Sequence, residues 1–115
     1  MPQSKFARWD VVTVPFPFTE GIGGKRRPAL IVSSKSLASH YRFYWLLMIT
    51  SVVKPAWKGD VEIKDLALAG LRVHSVIRTA KITTLQEDRI FNRIGRIASS
   101  EIRLVTAALK DWLTD

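Results

Sequence analysis

Phe43-Tyr44-Trp45-Leu46-Leu47-Met48-Ile49-Thr50-Ser51 is the most hydrophobic stretch of the chain, and it breaks off abruptly into two hydroxyl residues. A run this rich in aromatic and branched side chains predicts a buried central strand whose polar end, Thr50 and Ser51, emerges at the surface. Working outward toward the N-terminus, Ser34 to Arg42 mixes polar residues with Leu37 and has room for one helical turn. Before it, Ala29 to Ser33 reads as a short core strand, with Pro28 suited to its first position because it lacks an N–H. Gly21, Gly23 and Gly24 predict a loop from Thr19 to Lys25, and Lys25, Arg26 and Arg27 put positive charge at its exit. Asp10 to Phe16, carrying Val11, Val12, Val14 and Phe16, predicts another strand, which Pro15 and Pro17 make an edge or bent one.

On the C-terminal side, Val52 to Lys58 reads as a loop with Pro55 and Trp57. Gly59 to Ile63 alternates Val61 and Ile63 with Asp60 and Glu62, the pattern of a half-buried strand whose carboxylates face water. Asp65 to Gly70 reads as a loop or short turn. His74 to Thr79 and Ile82 to Leu85 read as two short strands, and Asn92 to Ile97 has the pattern of another. From Ser99 the period becomes helical, with Ile102, Val105, Leu109 and Trp112 spaced by three and four, Ser99 as N-cap and Glu101 in the first turn. Short strands at close spacing followed by one helix describe a small bent sheet or barrel with a helix packed on it. Trp45 and Trp112 fall at core positions of this scheme, whereas Trp57 falls in a loop beside Lys54 and Lys58.

The 115 residues suit one domain, 1–115, with enough length to bury a core unaided. No cysteine is present, which excludes disulfides and thiolate metal sites and fits a reducing cytoplasm. The two histidines are too few for a usual zinc site. Phe43 to Ile49 is too short to span a bilayer, and Asp10, Pro15 and Pro17 interrupt any signal-peptide core, so a soluble, unprocessed protein is expected. A net charge of +8 favours polyanionic partners, either nucleic-acid backbones or acidic protein segments.

Several segments together resemble the MazF/PemK family of toxins, related to the CcdB/PemK-type plasmid maintenance barrel. They are Arg8-Trp9-Asp10-Val11-Val12 with Val14-Pro15-Phe16-Pro17-Phe18, then Lys25-Arg26-Arg27-Pro28-Ala29-Leu30-Ile31-Val32-Ser33, Ile49-Thr50-Ser51, Gly70-Leu71, Ser75-Val76-Ile77-Arg78 and Gly95-Arg96-Ile97, in family order over nearly the whole chain. The resemblance implies a mainly β, SH3-like barrel with a C-terminal helix. It also implies a homodimer that acts as a metal-independent, sequence-selective endoribonuclease on single-stranded RNA, needs no cofactor, and is restrained by a cognate antitoxin with an acidic, partly disordered tail. The family's arginine before proline falls on Arg27, its catalytic threonine on Thr50 and the neighbouring hydroxyl on Ser51. Arg78 matches an arginine used by some members, in which an aspartate follows two residues later; here that position is Ala80, followed by Lys81. Trp9 stands where many relatives carry glycine.

Metal-free RNA cleavage requires the 2′-hydroxyl to attack the adjacent phosphorus, so a site must take that proton, stabilise charge on the phosphoryl oxygens and help the 5′-oxygen leave. Arginine suits charge stabilisation because its planar guanidinium holds two phosphate oxygens and stays charged. Arg27 is the first choice for that role, with Thr50 positioning the phosphate and relaying a proton. Lys25, Arg26, Ser51, Arg78 and Trp57 are the candidate RNA-binding residues, Trp57 by stacking on a base. Arg78 has a second reading as the ion-pair partner of Asp60 or Glu62. His74 has a pKa suited to acid–base work, but the motif does not require it. Asp60 and Glu62 without a further ligand cluster are a weak metal signal. The rival functions are a non-catalytic relative that binds a protein such as gyrase and a simple RNA-binding module. The pairing of Arg27-Pro28 with Thr50-Ser51 favours the nuclease.

Overall fold

The computed structural model describes residues 5–16, 25–51 and 55–115. The glycine-rich loop at 21–24 and residues 52–54 lie outside them. The elements in chain order are β1 (Asp10–Phe16), β2 (Lys25–Ile31), α1 (Lys35–Tyr41), β3 (Phe43–Ser51), β4 (Asp60–Glu62), α2 (Leu66–Ala69), β5 (Ser75–Gln86), a 3₁₀ turn (Glu87–Arg89), β6 (Asn92–Arg96) and α3 (Ser99–Trp112). The strands form a six-stranded sheet in the order β4-β5-β3-β2-β1-β6, with every described pair antiparallel. The fold is therefore mainly β with a C-terminal helix, as expected. The expected closure into a barrel is not seen: among the described residues no ladder joins β4 to β6, and the sheet is an open order of six strands.

Both faces of the sheet are covered, which is why Val11 and Val12, adjacent and pointing opposite ways, are each fully buried. One face gathers Val12, Val14, Ala29, Ile31, Leu46 and Met48 with Ala38 of α1. The other gathers Val11, Leu30, Leu47, Ile49 and Ile77 with Ala69 of α2 and Val105 of α3. The Glu101 side chain, itself buried, ties α3 to the sheet's connections by accepting hydrogen bonds from the backbone N–H groups of Lys64, Asp65 and Ala98.

Several local expectations change. β2 begins at Lys25 rather than Ala29, because Lys25 to Pro28 pair with β1 beyond the point where β3 leaves; Pro28 sits inside the strand, opposite Thr13. The two short strands are one, β5, interrupted by a bulge: Met48 pairs with Arg78 but Leu47 with Ile82, so Thr79, Ala80 and Lys81 have no counterparts on β3. Ala98, not Ser99, is the N-cap of α3. The helical turn in 34–42 is a seven-residue helix, and Asp65 caps α2 by accepting from the Leu68 N–H. Trp45 and Trp112 are not core: they remain 47% and 43% exposed, and both line an apolar surface groove with Val32, Ile82, Leu109 and Leu113. Trp9 adopts φ +76°, the left-handed region that suits glycine, as the chain turns into β1. That turn is held by the Asp10 carboxylate, which accepts from the Ala7 N–H and from Arg93 Nε.

Tyr44 supplies a measurable property of the core. Its hydroxyl donates to Glu87 Oε2 at 2.6 Å and accepts from the Phe6 N–H. Burial first, then the hydrogen bond to the Glu87 carboxylate, push its pKa from 10.0 up to about 12. Burial works against the Glu87 charge, but the Tyr44 hydroxyl, the Lys5 N–H and the Arg42 charge outweigh it and hold that carboxyl below its ordinary value. The neutral phenol is favoured by folding, so its contribution is full below pH 10.0 and is lost as pH rises toward about 12. Tyr44→Phe is expected to cost about 1–3 kcal/mol at neutral pH and to flatten the alkaline fall in stability. Urea melts of both proteins across that range would check it, and parallel pH curves would refute it.

Candidate active site

The buried stripe of the first sheet face runs out into polar residues at one end. Side chains alternate along a strand, so Arg27 continues the row of Ala29 and Ile31, and Thr50 continues the row of Leu46 and Met48. The β2–β3 ladder covers only Ala29–Met48, Leu30–Leu47 and Ile31–Leu46. Pro28, with no N–H to donate, cannot extend it, and the two strands part. Arg27 and Thr50 flank the opening.

β5 forms the far wall. Arg78 lies opposite Met48, and the bulge that follows turns Lys81 toward the same space. The result is a pocket of about 200 Å³ lined by Arg27, Met48, Ile49, Thr50, Arg78 and Lys81. Arg27 and Lys81 are exposed and Thr50 is half-buried, so cationic side chains surround a hydroxyl over an apolar floor. Such a pocket can receive a phosphate group, with guanidinium donors for its oxygens.

Arg78 differs from the pocket's other cations, Arg27 and Lys81, in being buried. Its Nε donates to Asp60 Oδ1 at 3.2 Å and its Nη2 to Asp60 Oδ2 at 3.1 Å, and the indole of Trp57 lies 4.1 Å from its Cζ. Of the two carboxylates weighed for it, Asp60 is therefore the partner. The expectation that Asp60 faces water is corrected, since the β4–β5 register sets it directly opposite Arg78 and the ion pair shields it. Glu62 instead meets His74 at the surface. Among the described residues, no group of three or more His, Asp or Glu side chains could hold a metal ion.

The structure thus brings Arg27, Thr50 and Arg78 to one pocket, with the half-exposed Trp57 joined to it through Arg78. Lys25, Arg26 and Ser51 lie outside its lining. Strand alternation sends Arg26 and Ser51 to the opposite face from Arg27 and Thr50, and the Arg26 guanidinium stacks over Phe91 at 4.3 Å. Lys81 is a pocket residue that sequence reasoning missed. Its one signal was the break between the patterns ending at Thr79 and resuming at Ile82, which marks the bulge.

This architecture is shared with known toxins. The chain superposes on the Mycobacterium tuberculosis toxin MazF-mt6 with a TM-score of 0.74 and 20% identity, over 92% of this chain and 98% of that one. For the MazF of a MazE–MazF structure from Deinococcus radiodurans the values are 0.75 and 20%, over 94% and 95%. A mycobacterial structure described as an endoribonuclease in complex with its cognate antitoxin gives 0.70 and 18%, over 94% and 92%. No curated protein matches the chain by sequence. At these identities the superpositions speak for the fold alone. A family model described as the PemK-like, MazF-like toxin of type II toxin–antitoxin systems matches residues 7–113. It spans every element from β1 to α3, including the strands that build the pocket, and on that match the chain belongs to the PemK-like, MazF-like toxin family.

Proposed function

We propose that this chain is a metal-independent, sequence-selective endoribonuclease that cleaves single-stranded RNA as the toxin of a type II toxin–antitoxin pair. The observation that carries the reading is the convergence of Arg27, Thr50 and Arg78, from three strands, on one cationic pocket with room for a phosphate group. In the reaction the 2′-oxygen forms a bond to phosphorus as its proton leaves, and the bond from phosphorus to the 5′-oxygen breaks as that oxygen gains a proton. The products are a 2′,3′-cyclic phosphate and a 5′-hydroxyl. Arg27 stabilises the charge that grows on the phosphoryl oxygens, and Thr50 positions the phosphate and relays a proton. Arg78 presents a fixed cation to the RNA, Trp57 offers an indole for base stacking, and Lys25, Arg26 and Ser51 contact the strand around the pocket.

Two partners follow from the same reading. A net charge of +8, with Lys25 to Arg27 exposed, suits an antitoxin with an acidic tail. An apolar groove lined by Val32, Trp45, Ile82, Leu109, Trp112 and Leu113, on the face opposite the pocket, suits a second copy in a homodimer. Among the described residues no helix is long and apolar enough to cross a membrane. A toxin acting on cellular RNA would work in the cytoplasm.

Labelled single-stranded RNA incubated with the protein in excess chelator tests the proposal. Cleavage with 2′,3′-cyclic phosphate ends is expected. Strict dependence on a divalent metal would refute the mechanism, and binding without cleavage would leave a simple RNA-binding module. Inertness toward RNA together with capture of a protein target such as gyrase would favour the non-catalytic relative.

A further inference from the structure

We infer that Asp60 is a positioning residue for cleavage: it holds the Arg78 guanidinium in one orientation at the edge of the pocket, ready for the scissile phosphate. This deepens the RNA-cleavage reading above and rests on it. The carboxylate takes the Nε–Nη2 edge of the guanidinium, with both bonds at 3.1–3.2 Å. A phosphate is then met by the remaining Nη1–Nη2 edge, in a plane set before the substrate arrives.

The carboxylate is itself fixed from several directions. Asp60 Oδ2 also accepts from the Trp57 N–H at 3.0 Å, while the Asp60 N–H donates to the Trp57 carbonyl. Those two bonds place the indole against Arg78, so the guanidinium is gripped by a carboxylate at its edge and an aromatic ring over its plane. Next to Asp60, the Gly59 carbonyl accepts from Thr79 Oγ1 at 2.7 Å, and Thr79 Oγ1 accepts from Trp112 Nε1 at 3.0 Å. Gly59 stands at φ +87°, where an added Cβ would lie 2.7 Å from Thr79 Oγ1 and 2.9 Å from the Trp112 ring. The first residue of the bulge and the last residue before β4 are thus locked together beside the ion pair. Ala80 lines the apolar groove rather than the pocket, so position 80 does not supply the partner for Arg78.

A group that only supports the fold and one that orients Arg78 behave differently when its charge is removed. The Arg78 and Asp60 side chains are only 10% and 8% exposed, and while they are paired the cation is neutralised by the protein itself. Asp60→Asn releases that charge to the RNA but loosens its direction. RNA binding should then hold or tighten, with the log–log salt slope steeper by about 0.7 for one more phosphate neutralised by a cation that no carboxylate compensates. Single-turnover cleavage at saturating RNA should fall by about tenfold to a hundredfold, the penalty of a misaligned group.

The experiment measures salt-dependent RNA binding and single-turnover cleavage for wild type, Asp60→Asn and Asp60→Glu, with a thermal melt of each. Asp60→Glu keeps the charge on a longer stem, so it should keep the wild-type salt slope and lose about threefold to tenfold in cleavage. If Asp60→Asn melts below the assay temperature, Asp60→Glu decides alone, and cleavage at the wild-type rate overturns the inference. For a folded Asp60→Asn, cleavage within about twofold of wild type overturns it, as does a parallel loss of binding and cleavage with no steeper slope. An inactive wild type would instead overturn the proposed function, so the two failures are distinguishable.

Discussion

Arg27→Ala is expected to lower RNA cleavage at saturating substrate by about a hundredfold or more, while RNA binding weakens far less. Arg27 and Thr50 face each other across the gap where β2 and β3 part, and Pro28 beside Arg27 prevents the ladder from closing that gap. In the proposed mechanism a guanidinium at this place would meet the phosphoryl oxygens as they gain charge, and would bind the transition state more strongly than the bound substrate. Its loss therefore falls on turnover. The side chain is exposed at the end of the buried stripe, so truncation leaves no cavity and the melting temperature should hold. Single-turnover kinetics with a binding titration would measure both quantities. Normal cleavage by Arg27→Ala once saturated with RNA would remove Arg27 from the chemistry.

Gly95→Ala is expected to destabilise the fold strongly, by about 3 kcal/mol or more. An added Cβ at Gly95 would lie 2.4 Å from the Leu68 carbonyl oxygen and 2.4 Å from the Ala69 carbonyl carbon. These are backbone atoms of α2, so no side-chain rotation relieves the clash; the helix must move off β6. The contact is reciprocal, because Gly70, at φ +74°, brings its own hydrogens against the Ile94 carbonyl. Moving α2 also disturbs Ala69 in the second core and the neighbouring Asp65, whose N–H is bound to the buried Glu101. The melting temperature should drop by roughly 10–20 °C. Neither α2 nor β6 lines the pocket, so cleavage well below the melt should persist. A melt within about 3 °C of wild type would show that the helix can shift at little cost, contrary to this account.

How far the site could be read in advance follows from the same geometry. Arg27 and Thr50 were legible through the family motif, Arg27 as the arginine before Pro28 and Thr50 as the hydroxyl that follows the apolar run of Phe43 to Ile49. Arg78 was visible as a candidate, but its choice between phosphate and carboxylate was not, since either use suits an arginine in a strand. Lys81 was passed over because a bulge breaks the two-residue alternation from which facing is inferred. Ser51 and Arg26 stood beside the right residues in sequence, yet neighbours along a strand point to opposite faces.

By itself, the sequence determined the properties that depend on local pattern and composition: a strand wherever branched and aromatic residues cluster, a helix where the period lengthens after Ser99, a basic charge without cysteine chemistry, and a family motif order specific enough to name. The tertiary structure alone decided what depends on which strands become neighbours. Register set Asp60 rather than Glu62 opposite Arg78, and the bulge delivered Lys81 to the pocket. Packing between α3 and the sheet left Trp45 and Trp112 lining an open groove when their residue type and spacing suggested burial. Hydrophobic spacing encodes that a face is buried, but the partner that buries it is chosen by packing between segments far apart in the chain, and no local window of sequence contains that choice.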